Sequence, residues 1–225
     1  MIFNCKWYKD KISPNTLYAI RNSRTIQFVE EQKPSNEKDY VNVKFVLDKG
    51  QYGVFANEFC PGFVKNIKKA DLLLLIVDEA NRKCSSWIFD VKVSVGGEDV
   101  IRHLIEQWIA SHQHKCALLN YLKEFQEKET IGVITRDYQE ERILAIVEKL
   151  KKEIEIKTKE LDVLPISSIK ITKQRELLGT KLEYQMFDKF QRGYVTISGR
   201  DYPVAVYPLE GKVAPYACNI EVKCE

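Results

Sequence analysis

Residues 72–77 read LLLLIV, an unbroken apolar run that is followed by a polar turn and a second apolar run at residues 87–93. A strand with apolar side chains at every position is typical of a sheet that is covered on both faces. We therefore predict that the two runs form a β-hairpin, with its turn centred on Arg82-Lys83, inside a layered structure that contains both helices and strands.

Hydrophobic periodicity predicts the elements around this hairpin. Strands are expected at residues 2–8, 16–20, 25–30 and 40–47, and a helix is expected after Gly96-Gly97, where apolar residues recur at helical spacing. A strand at 130–135 and a helix at 138–161 follow. Lys157 interrupts the apolar stripe of that second helix, which favours packing onto a sheet over a long coiled coil. After Pro165 we expect a strand at 166–172, a helix at 174–191 and strands at 194–198, 202–207 and 219–223.

This order of elements predicts the fold class α/β (α+β), with a mixed central sheet flanked by helices. Residues 1–54 are interpreted as an N-terminal antiparallel strand region of the same domain. Residues 55–162 form the α/β core, and residues 163–225 form a small α+β portion.

The net charge of +3 over 225 residues carries little information, but basic residues outnumber acidic ones within residues 1–26 and 170–200. Basic segments of this kind can bind a polyanion, and they are equally typical of ordinary solvent-exposed faces. The six cysteines form no Cys-x-x-Cys pair, which argues against a zinc ribbon. Without a signal peptide or an apolar run of transmembrane length, we expect a cytoplasmic protein with reduced thiols and no membrane contact.

Charged residues interrupt the apolar hairpin at three positions. Asp71 opens the first run, and Asp90 and Lys92 lie within the second. Because side chains alternate along a strand, Asp90 and Lys92 share one face, and in the predicted register Asp71 shares it too. Two carboxylates on one face can hold Mg²⁺ or Mn²⁺ beside a phosphate, with the lysine next to the attacking water. The alternative is a set of ordinary cross-strand ion pairs on a solvated face.

The pattern resembles the PD-(D/E)-x-K nuclease superfamily over about residues 55–135. Asp71 matches the first acid, after Ala70 where the family often has Pro, and Asp90 and Lys92 match the acid-x-Lys. Glu58 is the candidate for the family's upstream acid, and Gln107 for a glutamine that some branches carry on the following helix.

The resemblance implies a restriction-endonuclease-like fold and a Mg²⁺- or Mn²⁺-dependent endonuclease that cleaves nucleic acid, with DNA favoured. Asp71, Asp90 and Glu58 would be the metal ligands, and Lys92 would position or activate the water. A subunit of a restriction or antiviral defence system, with a protein partner or as a homodimer, is the context it suggests. The alternative is a non-enzymatic interaction module, either a degenerate nuclease fold or an unrelated α+β scaffold.

Two other patterns in the sequence are weaker. Residues 181–194 interleave aromatic and basic residues, and Lys181, Lys189 and Arg192 are candidates for nucleic-acid contacts. The same helix has an apolar stripe that also suits core packing or a docking face: Leu178, Leu182, Met186 and Phe190. His112 and Cys116 share a helical face, but without a third ligand we expect surface or packing roles for the histidines rather than a zinc site.

Overall fold

The computed structural model describes residues 18–20, 25–32, 39–47, 49–55, 69–78, 80–119, 126–166, 168–210 and 216–221. The strands are β1 (Tyr18–Ile20), β2 (Thr25–Gln32), β3 (Asp39–Val46), β4 (Tyr52–Phe55), β5 (Leu72–Asp78), β6 (Lys83–Val95), β7 (Gln126–Tyr138), β8 (Tyr194–Ile197), β9 (Arg200–Pro208) and β10 (Tyr216–Glu221). The helices are α1 (Glu98–Leu119), α2 (Glu140–Asp162) and α3 (Ser168–Gln191).

The main sheet has seven strands in the order β1-β4-β5-β6-β7-β9-β8. The first three pairings and the β8–β9 pairing are antiparallel, whereas β6–β7 and β7–β9 are parallel. Helix α1 makes the crossover from β6 to β7, as a parallel connection requires. The chain is therefore a mixed α/β protein with a mixed sheet flanked by helices.

A second sheet of three strands, in the order β10-β3-β2, packs on one face of the main sheet. The hydrophobic core between the two sheets contains Val43 and Phe45 of the smaller sheet and Leu74, Trp87 and Phe89 of the main sheet. On the opposite face of the main sheet, alternate residues of β5 and β6 pack against the three helices. Residues 72–77 are all buried, as the apolar run predicts, because both faces of β5 are covered.

The β5–β6 hairpin is confirmed, but its predicted turn position is wrong by two residues. Asp78 pairs with Lys83, so the turn is centred on Ala80-Asn81 rather than on Arg82-Lys83. The backbone amide and the side-chain amide of Asn81 hold this turn by donating to the two carboxylate oxygens of Asp78 (3.0 and 2.9 Å). Because the shift moves each cross-strand pairing by an even number of residues, it leaves every side chain on its predicted face.

The strand predicted at residues 166–172 is wrong, because α3 already begins at Ser168. The isoleucines that suggested a strand, Ile169 and Ile171, are 62% and 51% exposed on this helix. Further along α3, Lys173 pairs with Glu160 of α2 (3.4 Å) and Thr180 Oγ1 accepts from Lys157 Nζ (2.8 Å), so the helix that contains this segment packs on α2. Tertiary packing therefore outweighs the β propensity of the isoleucines.

The apolar side of α3 also differs from the predicted stripe. Phe190 is buried, but Leu178 and Leu182 are 57% and 58% exposed. The buried residues are Leu177, Thr180, Phe187 and Phe190. The helix contacts α2 and β8 along its length, so its buried side is not a single straight stripe.

The buried residues of α2 are Ile143, Val147 and Leu150, all within its first half and all in the helix-side core. The second half lies along α3, and Lys157 breaks the apolar stripe where it reaches Thr180. The strand predicted at residues 2–8 lies outside the described residues. Among those described, no helix combines the length and the apolar character that crossing a bilayer requires.

Candidate active site

The structure brings Asp71, Asp90 and Lys92 together at the start of β5. Lys92 Nζ lies 3.2 Å from Asp71 Oδ2 and 3.1 Å from Asp90 Oδ1. The two carboxylates therefore lie at most two hydrogen-bond lengths apart, on the side of the main sheet that faces the helices. Asp71 and Lys92 are 21% and 26% exposed, whereas the side chain of Asp90 is completely buried. The group is open to solvent on the Asp71 side and closed behind Asp90.

Asp90 is the unusual member of this group. Its Oδ2 is buried and has no hydrogen-bond partner among the described residues. Burial raises the pKa of Asp90 from 3.8 to about 7, against the opposing effect of the Lys92 charge and with a further increase from Asp71. A bare carboxylate oxygen in the interior costs free energy, and such costs are concentrated at sites of binding or catalysis.

Lys92 stays charged between the two acids. Burial lowers its pKa, but the negative charges of Asp90 and Asp71 and their hydrogen bonds outweigh burial, and the net result is a raised pKa. The ammonium group is therefore fixed in position as a permanent donor. It can stabilise negative charge on a bound group next to the carboxylates.

Asp71 is held in place by the backbone around it and by α1. The amide of Val91 donates to Asp71 Oδ2 (2.9 Å). One residue earlier, the amide of Ala70 donates to Ser111 Oγ (2.9 Å), and Gln107 Nε2 donates to the carbonyl of Lys69 (2.8 Å). Two side chains of α1 therefore anchor the segment that leads into β5.

These contacts explain the alanine at position 70. Proline has no backbone N–H, so it could not donate to Ser111 as Ala70 does. Gln107, the candidate accessory residue, contacts the backbone of Lys69 rather than either acid. Sequence reasoning missed Ser111, because a serine on a helix 41 positions away from Ala70 gives no local signal of this bond.

The donor set suits a hard divalent cation. Mg²⁺ is usually held by one or two carboxylates, with water and substrate phosphate oxygens completing its shell. The partnerless Oδ2 of Asp90 is the atom whose burial such a cation would offset. Within the described residues, no three or more His, Cys, Asp or Glu side chains form a metal-binding group. Glu58, the candidate third ligand, lies outside those residues.

The candidate nucleic-acid contacts do not form a single free basic patch. Lys189 binds Asp201 (2.7 Å) and Thr196 (2.8 Å), and Arg192 pairs with Asp188 (3.0 Å). Lys181 is exposed on α3. A phosphate would therefore compete with a carboxylate at Lys189 and at Arg192, but it would meet a solvated ammonium at Lys181.

Comparisons with protein families, with curated proteins and with solved structures find no match to this chain. The geometry of its side chains is therefore the basis for assigning a function.

Proposed function

We propose that this protein is a metal-dependent phosphodiesterase of the nuclease type, built on a restriction-endonuclease-like fold and acting on nucleic acid, with DNA as the favoured substrate. The observation that supports it most is the buried Asp90, whose Oδ2 lacks a partner while its Oδ1 shares Lys92 with Asp71. An ion network that served stability alone would not leave this oxygen bare, since an unsatisfied buried acceptor is destabilising.

Asp71 and Asp90 would hold Mg²⁺ or Mn²⁺, which supplies positive charge beside a phosphodiester and lowers the pKa of a bound water. Lys92 donates to a non-bridging phosphate oxygen or to the attacking water, in a position fixed by its two bonds to carboxylates. Hydrolysis joins the water oxygen to phosphorus and breaks one P–O ester bond, and the departing oxygen takes up a proton. Charge accumulates on the phosphate oxygens, where a fixed ammonium contributes most.

The supporting residues act on Asp71 rather than on substrate. Gln107 and Ser111 hold Lys69 and Ala70, so they determine where Asp71 lies relative to Asp90. Displacements of about 1 Å in such a group can reduce turnover by about 10²-fold. The cytoplasmic setting and a role in restriction or antiviral defence belong to this proposal as its biological context.

The test is a cleavage assay on single- and double-stranded DNA and RNA with Mg²⁺, Mn²⁺ or EDTA. We expect divalent-dependent cleavage that falls about 10²-fold or more in Asp90→Asn and in Lys92→Ala. Lys83→Ala is the matched control, because Lys83 lies on the same strand but at the hairpin turn, opposite Asp78. Cleavage that survives both site substitutions, or that falls equally in the control, would exclude this mechanism.

A binding measurement separates an inactive scaffold from an enzyme. Isothermal titration of Mn²⁺ into the protein should show binding that Asp90→Asn abolishes. If neither cleavage nor cation binding depends on Asp90, the group is a structural ion network and the nuclease proposal is wrong.

A further inference from the structure

A second polar cluster lies where α1 meets β7 and β9, away from Asp90. It is formed by His112 and Cys116 of α1 and Glu129 of β7. Glu129 precedes Val133, the residue that pairs with Asp90, by four positions, which is roughly 13 Å along a strand. The cluster is therefore separate from the candidate nuclease site.

The three side chains form a relay from thiol to carboxylate. Cys116 Sγ lies 3.4 Å from His112 Nε2, and His112 Nδ1 lies 2.8 Å from Glu129 Oε1. One helical turn between His112 and Cys116 places the imidazole beside the sulfur. A nucleophile, a base within reach of it and a third group that orients the base are the geometric signature of covalent catalysis.

The state of Glu129 determines which nitrogen of His112 can act as a base. Burial raises the pKa of Glu129, but hydrogen bonds from His112 and Lys115 and the charge of Lys115 outweigh burial and bring the pKa below its ordinary value. The carboxylate is therefore ionised, which favours the tautomer of His112 whose Nδ1–H donates a hydrogen bond to Glu129 Oε1. The lone pair of Nε2 then faces the thiol. Lys115 Nζ fixes the other carboxylate oxygen (2.5 Å).

The arrangement does not suit a metal. Cys116 and Glu129 contact opposite nitrogens of the imidazole, so the three side chains cannot converge on one ion. Their positions suit the movement of a proton from sulfur to Nε2, with the resulting imidazolium stabilised by Glu129.

The relay opens into a cavity of about 340 Å³. Cys116 is exposed at this cavity. The lining residues are His112, Lys115, Cys116, Glu129, Ser198, Arg200 and Tyr202. Ser198 and Gly199 form the tight turn from β8 to β9, both at positive φ (51° and 79°), and this turn brings Arg200 and Tyr202 to the cavity. A small molecule can therefore approach the sulfur beside a cationic side chain.

We propose that Cys116 is the nucleophile of a second site, which accepts the acyl group of a small activated ester that carries a negative charge. His112 is the base, Glu129 is a positioning residue, and Arg200 attracts the anionic group of the substrate.

In the reaction, the thiol proton moves to His112 Nε2 as sulfur bonds to the ester carbonyl carbon. The C–O ester bond then breaks, and the leaving oxygen takes the proton from Nε2, which leaves a thioester on Cys116 and a free alcohol. Water then attacks the thioester with Nε2 as base, and the C–S bond breaks. The products are the carboxylic acid and the original thiol, so no oxidant or reductant is needed.

The experiment uses the full chain with two probes, p-nitrophenyl acetate and the anionic mono-p-nitrophenyl succinate. We expect a burst of p-nitrophenolate equal to one acyl group per chain, located on Cys116 by peptide mass spectrometry, and a faster burst with the succinate. Cys116→Ser should abolish the burst while leaving divalent-dependent nucleic-acid cleavage unchanged. The outcome at this site is thus independent of the outcome at Asp90.

Variants test the role of each partner. His112→Asn should slow acylation by about 10²-fold or more, whereas His103→Asn is the matched control, because His103 lies on the same helix with a side chain that is 57% exposed. Glu129→Gln should lower the plateau rate of acylation and move the acid limb of its pH profile to lower pH, because the imidazolium loses its charged partner. Arg200→Gln should remove the preference for the succinate.

The pH profile of the wild type tests the proposal even if a variant fails to fold. The groups that face the thiol are His112 and Lys115 of α1, Glu129 of β7, and Arg200 and Tyr202 of β9. Acylation of native Cys116 should reach its plateau at lower pH than that of Cys116 in urea-unfolded protein. Equal profiles, acylation spread evenly over the cysteines, or no preference between the probes would overturn the site, its nucleophile or its substrate class, respectively.

Discussion

Replacing Asp90 with asparagine should change how the stability of the fold depends on pH. Burial raises the pKa of Asp90 in the folded protein to about 7, from its ordinary value of 3.8. Between these two values the folded state holds a proton that the unfolded state has released. The free energy of unfolding of the wild type must therefore fall as pH rises through this window. Asparagine keeps the shape of the side chain and an oxygen for Lys92, but it has no proton to lose.

The size of the effect follows from the shift. Three pKa units at about 1.36 kcal/mol each give a cost on the order of 4 kcal/mol for ionising Asp90 in the folded state. About two-thirds of that cost falls between about pH 5 and about pH 8. Over that range the free energy of unfolding of Asp90→Asn, relative to that of the wild type, should therefore rise by roughly 2–3 kcal/mol. The side chain is completely buried, so solvent screening does not reduce this figure.

Urea denaturation followed by tryptophan fluorescence, in EDTA at constant ionic strength, measures the difference at each pH. Asp99→Asn is the matched control, because Asp99 is exposed in the first turn of α1. Mg²⁺ at the alkaline end should recover part of the lost stability in the wild type alone, since a cation that binds the folded state stabilises it. If wild type and Asp90→Asn show parallel pH dependences, the reasoning about the buried oxygen is refuted.

Three further substitutions test the packing of the main sheet, the anchoring of Ala70 and the contact of Lys181 with DNA. Gly132→Ala should lower the free energy of unfolding by about 1–3 kcal/mol, because an added Cβ would collide with the carbonyl of Ala205 and the ring of Phe89; an unchanged urea midpoint would contradict this. Ser111→Ala should cost about 1–3 kcal/mol by leaving the Ala70 amide without its acceptor, and should lower cleavage turnover more than cation affinity. Lys181→Ala should weaken DNA binding and reduce the slope of log Kd against the logarithm of salt concentration by about one, as expected for the loss of one phosphate contact. If titrations at several salt concentrations show no change in this slope, Lys181 does not contact the DNA.

The hairpin could be predicted from the sequence because its information is local. An apolar run that fills both faces of a strand, followed by a second run after a polar turn, leaves few alternatives. The grouping of Asp71 with Asp90 and Lys92 depended only on the parity of the register. The two-residue difference in the turn therefore did not affect it.

Other parts depended on contacts that no local pattern records. Ile169 and Ile171 have β propensity, but their segment is the first part of a helix that packs on α2 further along the chain. The charged residues at the start of β7 are not typical of a strand. The side chain of Glu129 is nevertheless buried there, because it pairs with His112 and Lys115 of α1. The histidines were expected in surface or packing roles, but the hydrogen bond between His112 and Glu129 could not be predicted, because it depends on where β7 lies beside α1.

The parallel pairing of β3 with β10 has a consequence for how the chain folds during synthesis. Val41 pairs with Tyr216, so two segments about 175 residues apart lie side by side in the smaller sheet. This sheet cannot be completed before residues 216–221 leave the ribosome. Until then the surface around Trp87 and Phe89 lacks part of its cover. Contacts this distant in sequence slow folding, so the core around Trp87 and Phe89 would be closed only after Cys218 and Ile220 have been synthesised.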